Sequence, residues 1–130
     1  MKRIEEMDYI IGDLVKNDNA IVRIVKCSLY DPNPYVAAPD KNKDIGYWQA
    51  NRKNIKPIPL TPAILEKNGW KKNDGVYLDE SHHLMLYEKY QGYTLYKVIN
   101  EKVIWLMDIL YVHELQHLLF GLGINLDMEV

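Results

Sequence analysis

Short runs of β-branched and aromatic residues, separated by turn residues, occupy most of this chain. In the first half, a polar turn at Lys16–Asn19 and the turn sequence Asp31-Pro32-Asn33-Pro34 divide such runs. Strand, turn and strand with this composition predict a hairpin followed by further short strands. The segments that fit strands are Ile10–Val15, Ala20–Cys27, Tyr35–Ala38, Tyr47–Ala50 and Asn54–Ile58. Their close spacing favours a small, strongly twisted β unit, for which an SH3-like unit is one form.

The segment from Thr61 to Gly69 carries the clearest local signal. Threonine can cap a helix, proline suits the first helical turn, and glycine suits the residue after the last turn. We therefore predict a helix of two turns from Pro62 to Asn68.

The second half predicts an antiparallel meander that ends in a helix. Its strands are expected at Gly75–Leu78, His83–Tyr90, Tyr93–Ile99 and Val103–Met107, with turns at Gln91-Gly92 and Asn100–Lys102. From about Asp108 the apolar spacing becomes helical, which predicts a closing helix near residues 109–121. Its Val112, Leu115, Leu119 and Leu122 should pack on the sheet.

These patterns together predict the α+β class. We expect residues 1–130 to form a single domain, with a short-strand β unit at 1–60 and the helix, meander and closing helix at 61–130. Apolar residues make up 48% of the 130, which is enough for a packed core.

Charge and apolar content narrow the functional classes. The net charge is −2, and the densest basic stretch, Lys41–Lys56, is diluted by acidic residues, which argues against nucleic acid binding. No run of 18 apolar residues is present, and the opening Met1–Glu6 lacks an apolar stretch. With one cysteine in addition, Cys27, we expect a cytoplasmic protein without a membrane span.

The string His113-Glu114-Leu115-Gln116-His117 matches the H-E-x-x-H pattern of zinc peptidases. Two histidines one helical turn apart can bind one zinc ion, and the glutamate can act as general base on the metal-bound water. A catalytic zinc normally takes three protein ligands. The positions that follow in longer motifs of this type hold Phe120 and Gly123 instead.

Other third ligands would have to come from distant parts of the chain. Asp127 and Glu129 lie in the tail, and His82 and His83 fall at an expected strand start. On a helical wheel, His113, Gln116 and His117 fall opposite the leucine side. This placement favours no cofactor and a structural role for His113 and Gln116, for example hydrogen bonds to the segment Pro57–Pro62.

Two motifs resemble a family of short uncharacterised proteins encoded in gut anaerobic bacteria and their phages. They are Tyr111–Leu118 and the segment Ile58-Pro59-Leu60-Thr61, followed by Leu65 and Gly69-Trp70. The resemblance covers roughly residues 10–123 and implies a shared topology. In that family the tyrosine, first histidine and glutamine define the helix motif, whereas the positions of Glu114 and His117 vary. A zinc peptidase could not vary those two positions.

The remaining candidates favour structural interpretations. Cys27 in an apolar strand is typical of an inert core thiol. Tyr87, Tyr90, Tyr93 and Tyr96 either pack across strands or form a stacking platform for bases, and the sequence favours packing.

Three functional hypotheses follow. The leading one is a non-catalytic accessory or adaptor protein of phage or mobile-element type, acting through an unknown protein partner or through self-association. In this hypothesis Thr61, His113, Leu115, Gln116 and Leu119 are structural. The second is a minimal zinc hydrolase with His113 and His117 as ligands and Glu114 as base. The third is a nucleic-acid-binding module that uses the aromatic sheet with Lys53 and Lys56.

Overall fold

The computed structural model describes residues 9–28, 30–39, 46–124 and 127–130. The chain divides into two compact units, Met1–Ile58 and Pro59–Val130. The described residues form two five-stranded antiparallel sheets, one in each unit, and two α-helices that both belong to the second unit. The predicted α+β class is confirmed. The SH3-like form of the first unit and the single domain stay predictions.

The first unit contains one sheet in the order β4-β3-β2-β1-β5. Its strands are β1 (Leu14–Asn17), β2 (Ala20–Lys26), β3 (Tyr35–Ala37), β4 (Trp48–Gln49) and β5 (Ile55–Pro57). The first four strands pair in chain order, and β5, which follows a 3-10 turn at Arg52–Asn54, pairs with the other side of β1.

The hairpin of β1 and β2 is formed as predicted. A two-residue turn joins the strands, and Asp18 at φ 54° takes the left-handed conformation that aspartate tolerates well. Val15 lies opposite Val22 in this hairpin. A cluster of buried apolar side chains forms the core of the unit: Val15, Val22, Ile24, Val36, Ala50 and Ile55.

The second unit follows the chain in its strand order, β6-β7-β8-β9-β10. Its elements are α1 (Pro62–Lys67), β6 (Lys71–Asn73), β7 (Val76–Asp79), β8 (Leu84–Glu88), β9 (Tyr93–Ile99), β10 (Lys102–Ile109) and α2 (Val112–Gly121). The cap of α1 is confirmed, since the Thr61 hydroxyl accepts a hydrogen bond from the Ile64 amide at 3.3 Å.

Two features of this unit differ from the expectation. Strand β6 was not predicted, because its sequence Lys-Lys-Asn lacks β propensity and only its pairing with β7 makes it a strand. The last strand continues to Ile109, so α2 begins at Val112 rather than near 109. The apolar stretch Val103–Met107 is followed, after Asp108, by the apolar Ile109, so the sequence does not show where the strand period ends and the helical period begins.

The strand register assigns each residue of the second sheet to one of two faces. One face is interior, and its fully or nearly fully buried side chains are Tyr77, Leu84, Leu86, Tyr93, Leu95 and Ile109. The opposite face, called the outer face below, carries Val76, Leu78, Met85, Tyr87, Tyr96, Val98, Val103 and Trp105. In α2, Val112, Leu115 and Leu119 are buried as expected.

Candidate functional site

The start of α2 holds the H-E-x-x-H string, and backbone contacts fix its position. The Leu60 amide donates to the Leu110 carbonyl at 3.0 Å, and Pro59 forms an isolated bridge with Tyr111. The segment that contains Pro59 and Leu60 therefore lies beside the strand end that leads into the helix. These backbone contacts involve Leu110 and Tyr111, which precede the helix, so the hydrogen bonds from His113 and Gln116 to this segment stay a prediction.

Glu114 caps the helix that contains it. Its Oε1 atom accepts hydrogen bonds from the amides of Leu110 and Tyr111, both at 2.9 Å. This is the glutamate half of a capping box, in which the third helical residue reaches back to amides that have no partner in the helix. A carboxylate at a helix N-terminus is also favoured by the helix dipole. The geometry thus gives Glu114 a structural task.

His113 is buried, with 4% of its side chain exposed. Its ring stacks on Tyr111 with centroids 5.9 Å apart, and it meets His117 edge to face at 5.5 Å. The helical wheel assigned His113 to the polar face of an amphipathic helix, but its side chain is buried. The helical wheel identified the buried side of α2 from its apolar residues alone, but the buried side also includes His113.

The described residues offer these two imidazoles no further metal ligand. Among residues 9–28, 30–39, 46–124 and 127–130, no group of three or more His, Cys, Asp or Glu side chains could hold a metal ion. His82 instead contacts the Asp79 carboxylate at 2.8 Å, and His83 is exposed in a left-handed turn conformation at φ 57°. In the tail, the Glu129 amide binds the Asn68 side chain at 2.8 Å.

Cys27 lies at the surface, just after β2, and it is a free thiol. The expectation of an inert core residue is wrong in placement, because the strand ends one residue earlier. Desolvation raises the pKa of the Cys27 thiol, the Asp13 carboxylate adds to this increase, and Arg52 acts against it. A raised pKa lowers the thiolate fraction, so the surroundings do not activate a nucleophile.

The four tyrosines of the meander do not form one platform. Tyr93 is buried on the interior face and packs edge to face with Tyr77 at 6.2 Å. Tyr87 and Tyr96 pair on the outer face at 5.2 Å, and Tyr90 is fully exposed in the connection between β8 and β9. Cross-strand packing is therefore confirmed for Tyr87, Tyr93 and Tyr96 but not for Tyr90. Lys53 and Lys56 belong to the first unit.

The most exposed apolar run of the second unit was missed from the sequence. Val103, Ile104 and Trp105 of β10 are 55%, 42% and 58% exposed. Strand β10 is a terminal strand of its sheet, and no strand among the described residues pairs with its outer edge. The signal was available, because the last strand of a meander lies at a sheet edge and this strand reads Val-Ile-Trp-Leu-Met.

Comparisons of the whole chain with protein-family models, with curated proteins and with solved structures give no match. Within the part of the chain that the structure describes, no helix has the length and apolar character needed to cross a membrane. The geometry of the described residues therefore carries the functional argument.

Proposed function

We propose that this chain is a non-catalytic accessory or adaptor protein that acts through protein contacts made at the outer edge of β10. One observation carries the proposal: three consecutive large apolar residues, Val103 to Trp105, are each at least 42% exposed on a terminal strand. Exposed apolar residues scattered singly are normal, whereas a contiguous group on a strand edge is typical of interaction sites.

The other edge of the same sheet provides an internal comparison. Strand β6 has three residues, Lys71, Lys72 and Asn73, and all three are exposed. A short, charged edge strand is how proteins commonly prevent pairing with other chains. Strand β10 has eight residues, and its charges, Lys102 and Asp108, stand only near its ends. The two edges of this sheet thus differ in how well they are protected against pairing with another chain. The less protected edge, at β10, is the candidate contact surface.

Apolar side chains continue from this edge across the neighbouring strands on the outer face of the sheet. Trp105 lies directly opposite Tyr96, which lies opposite Met85, which in turn lies opposite Leu78. Tyr96 and its neighbours in this row are partly buried, while Trp105 is 58% exposed at the margin. Tryptophan contributes strongly to protein interfaces, and a strand edge can add a partner strand through main-chain hydrogen bonds.

The phage or mobile-element origin and the cytoplasmic location belong to the same proposal. The motif Tyr111–Leu118 and the segment from Ile58 to Trp70 support the origin through their resemblance to proteins of gut bacteria and their phages. A free thiol at Cys27, the one cysteine of the chain, is in keeping with a reducing compartment.

Affinity isolation with edge variants tests the proposal. The chain, tagged at its N-terminus, is isolated from the cells that naturally make it, and co-purified proteins are quantified by mass spectrometry. We compare the wild type with Trp105→Ser and with Phe120→Ser, which removes an apolar side chain that is 74% exposed on α2.

Partners should be recovered with the wild type and with Phe120→Ser, and should decrease at least about tenfold with Trp105→Ser, as for a central interface tryptophan. Equal recovery with both variants would contradict a contact at β10. A hydrolytic activity that depends on Glu114, found with no protein enriched over an untagged control, would replace the proposal with an enzymatic one.

A further inference from the structure

We infer that the outer edge of β10 pairs with β10 of a second copy of this chain, antiparallel, about a twofold axis at Ile104. This inference rests on the proposed function, because it assigns an occupant to the same edge. Three features of this edge support the pairing: the backbone groups that point outward, the position of the β-bulge, and the balance of charges at the two ends.

The backbone direction at Val103 follows from its neighbour in β9. The Val98 amide donates to the His83 carbonyl at 2.8 Å, so the backbone groups of Val98 point towards β8 and away from β10. Val103 lies opposite Val98. In an antiparallel ladder, such a residue forms a pair without hydrogen bonds, and its own N–H and C=O point to the other side. By alternation, the same holds for Trp105.

The bulge limits the regular part of the edge. The register of β10 against β9 shifts between Trp105 and Met107, so Leu106 is the extra residue. A partner strand can therefore pair regularly only with the stretch from Lys102 to Trp105. Its outward-pointing residues, Val103 and Trp105, lie symmetrically on either side of Ile104.

This symmetry is what a second copy requires. A twofold interface is self-complementary, so each residue must face a partner that stands on the same side of the sheet. With the axis at Ile104, Val103 of one copy faces Trp105 of the other, and both belong to the outer face. These two pairs exchange about four main-chain hydrogen bonds, and Ile104 meets its own counterpart at a position without hydrogen bonds.

The distribution of charged residues also fits antiparallel pairing of two β10 strands about an axis at Ile104. The three central residues, Val103 to Trp105, are uncharged. Near each end, the Lys89–Asp108 ion pair of one copy, with its atoms 2.9 Å apart, approaches Glu101 and Lys102 of the other. Two positive and two negative charges thus come together at each end, which leaves no net charge there.

The contact is small, so the dimer should be weak. A contact of three paired residues from each copy falls below the ~1,200 Å² of a typical stable interface, and we expect a dissociation constant of roughly 1–100 µM. Sedimentation velocity at chain concentrations spanning that range should show a shift from 15.3 kDa towards twice that mass.

A charge swap at Ile104 tests the register. Because the axis places residue 104 opposite itself, Ile104→Lys alone and Ile104→Glu alone should each be monomeric, since like charges directly opposite repel. An equimolar mixture of the two variants should restore the dimer, which also shows that both are folded. Ile99→Lys is the matched control, because Ile99 has the same 42% exposure but lies on β9. It should dimerise like the wild type.

The outcomes separate this inference from the proposed function. A wild type that stays monomeric throughout, or an Ile104→Lys variant that dimerises alone, overturns pairing of two copies at this register. The chain could be monomeric while Trp105→Ser still lowers the recovery of other proteins in affinity isolation. In that case the edge binds a different partner and the proposed function stands. If partner recovery is also insensitive to Trp105, both fail.

Discussion

Gly92 precedes β9, and it offers a direct test of how the end of β10 is held. Its φ is +81°, and a Cβ atom built there would overlap the carbonyl oxygen of Ile109 and approach Cδ2 of Leu110 to 2.8 Å. Gly75, in the turn between β6 and β7, has nearly the same φ of +79° but nothing within 4 Å of a Cβ. The two glycines therefore separate backbone strain from steric overlap.

An alanine at either position takes on a left-handed conformation, which costs about 1 kcal/mol. At Gly92 the overlap with backbone atoms adds roughly 1–3 kcal/mol, as for other overpacked sites. We expect Gly75→Ala to lose about 1 kcal/mol of unfolding free energy and Gly92→Ala to lose about 3 kcal/mol. With a urea m value of about 2 kcal/mol/M, the Gly92→Ala midpoint falls by roughly 1.5 M.

The assay is urea unfolding followed by tryptophan fluorescence. Trp70 is 3% exposed and reports on the second unit, whereas Trp48 and Trp105 are 44% and 58% exposed. Loss of the blue-shifted emission of Trp70 should therefore mark unfolding of the unit that contains Gly92. If the two alanine variants differ by less than about 0.5 kcal/mol, the close approach of Gly92 to Ile109 is refuted.

Four further predictions concern the start of α2, its histidines, Tyr93 of β9 and the contact of Asn68 with Glu129. Glu114→Ala removes the acceptor for two backbone amides and should lose about 1–2 kcal/mol in chemical denaturation, while Glu114→Gln keeps an acceptor and should lose less. Equal losses would argue against the cap. Protein purified without a histidine tag should contain well under one zinc per chain by elemental analysis, and a stoichiometric zinc ion would revive the hydrolase hypothesis. Burial, and secondarily Glu88, raises the pKa of Tyr93 to about 12. Its contribution to stability is present below the unfolded pKa near 10 and is lost as pH rises towards about 12, and Tyr93→Phe should remove this part of the pH dependence. The Asn68 amide group binds the Glu129 backbone twice, at 2.7 and 2.8 Å. Asn68→Ala should make the chain end more sensitive to carboxypeptidase, as followed by mass spectrometry, and an unchanged digestion rate would count against this link.

The strands and the first helix could be predicted because their signals are local. Turn residues that take positive φ, such as Asp18 and Asn100, mark hairpins in the sequence, and Thr61 with the following proline marks a helix start. Strand β6 could not be found this way, because its two lysines acquire strand structure only from the pairing of Lys71 with Leu78 and its neighbours.

The candidate site was harder to predict because it depends on tertiary structure. A helical wheel ranks faces by apolar residues, and it therefore placed His113 opposite the leucine side. In the structure His113 is buried, and its ring contacts Tyr111 and His117. The H-E-x-x-H string is identical whether its glutamate faces a metal-bound water or caps its own helix. Only coordinates show that Glu114 turns back to the amides of Leu110 and Tyr111.

Strand β10 is anchored at one end and exposed at the other. Near its C-terminal end, Ile109 lies against Gly92, and Asp108 accepts hydrogen bonds from Lys89 and Thr94 at 2.9 Å each. These hydrogen bonds lower the pKa of Asp108, with the bond from Lys89 the larger cause.

The residues next to this strand end are fixed as well. The Leu60 amide binds the Leu110 carbonyl, and the Glu114 cap binds the following amides. The exposed residues Val103 to Trp105 belong to the same strand, so its fixed end limits their backbone freedom. An edge that is ordered before binding loses little conformational entropy when a partner strand pairs with it. A weak contact of three residues from each copy can therefore be specific in register even where it is modest in affinity.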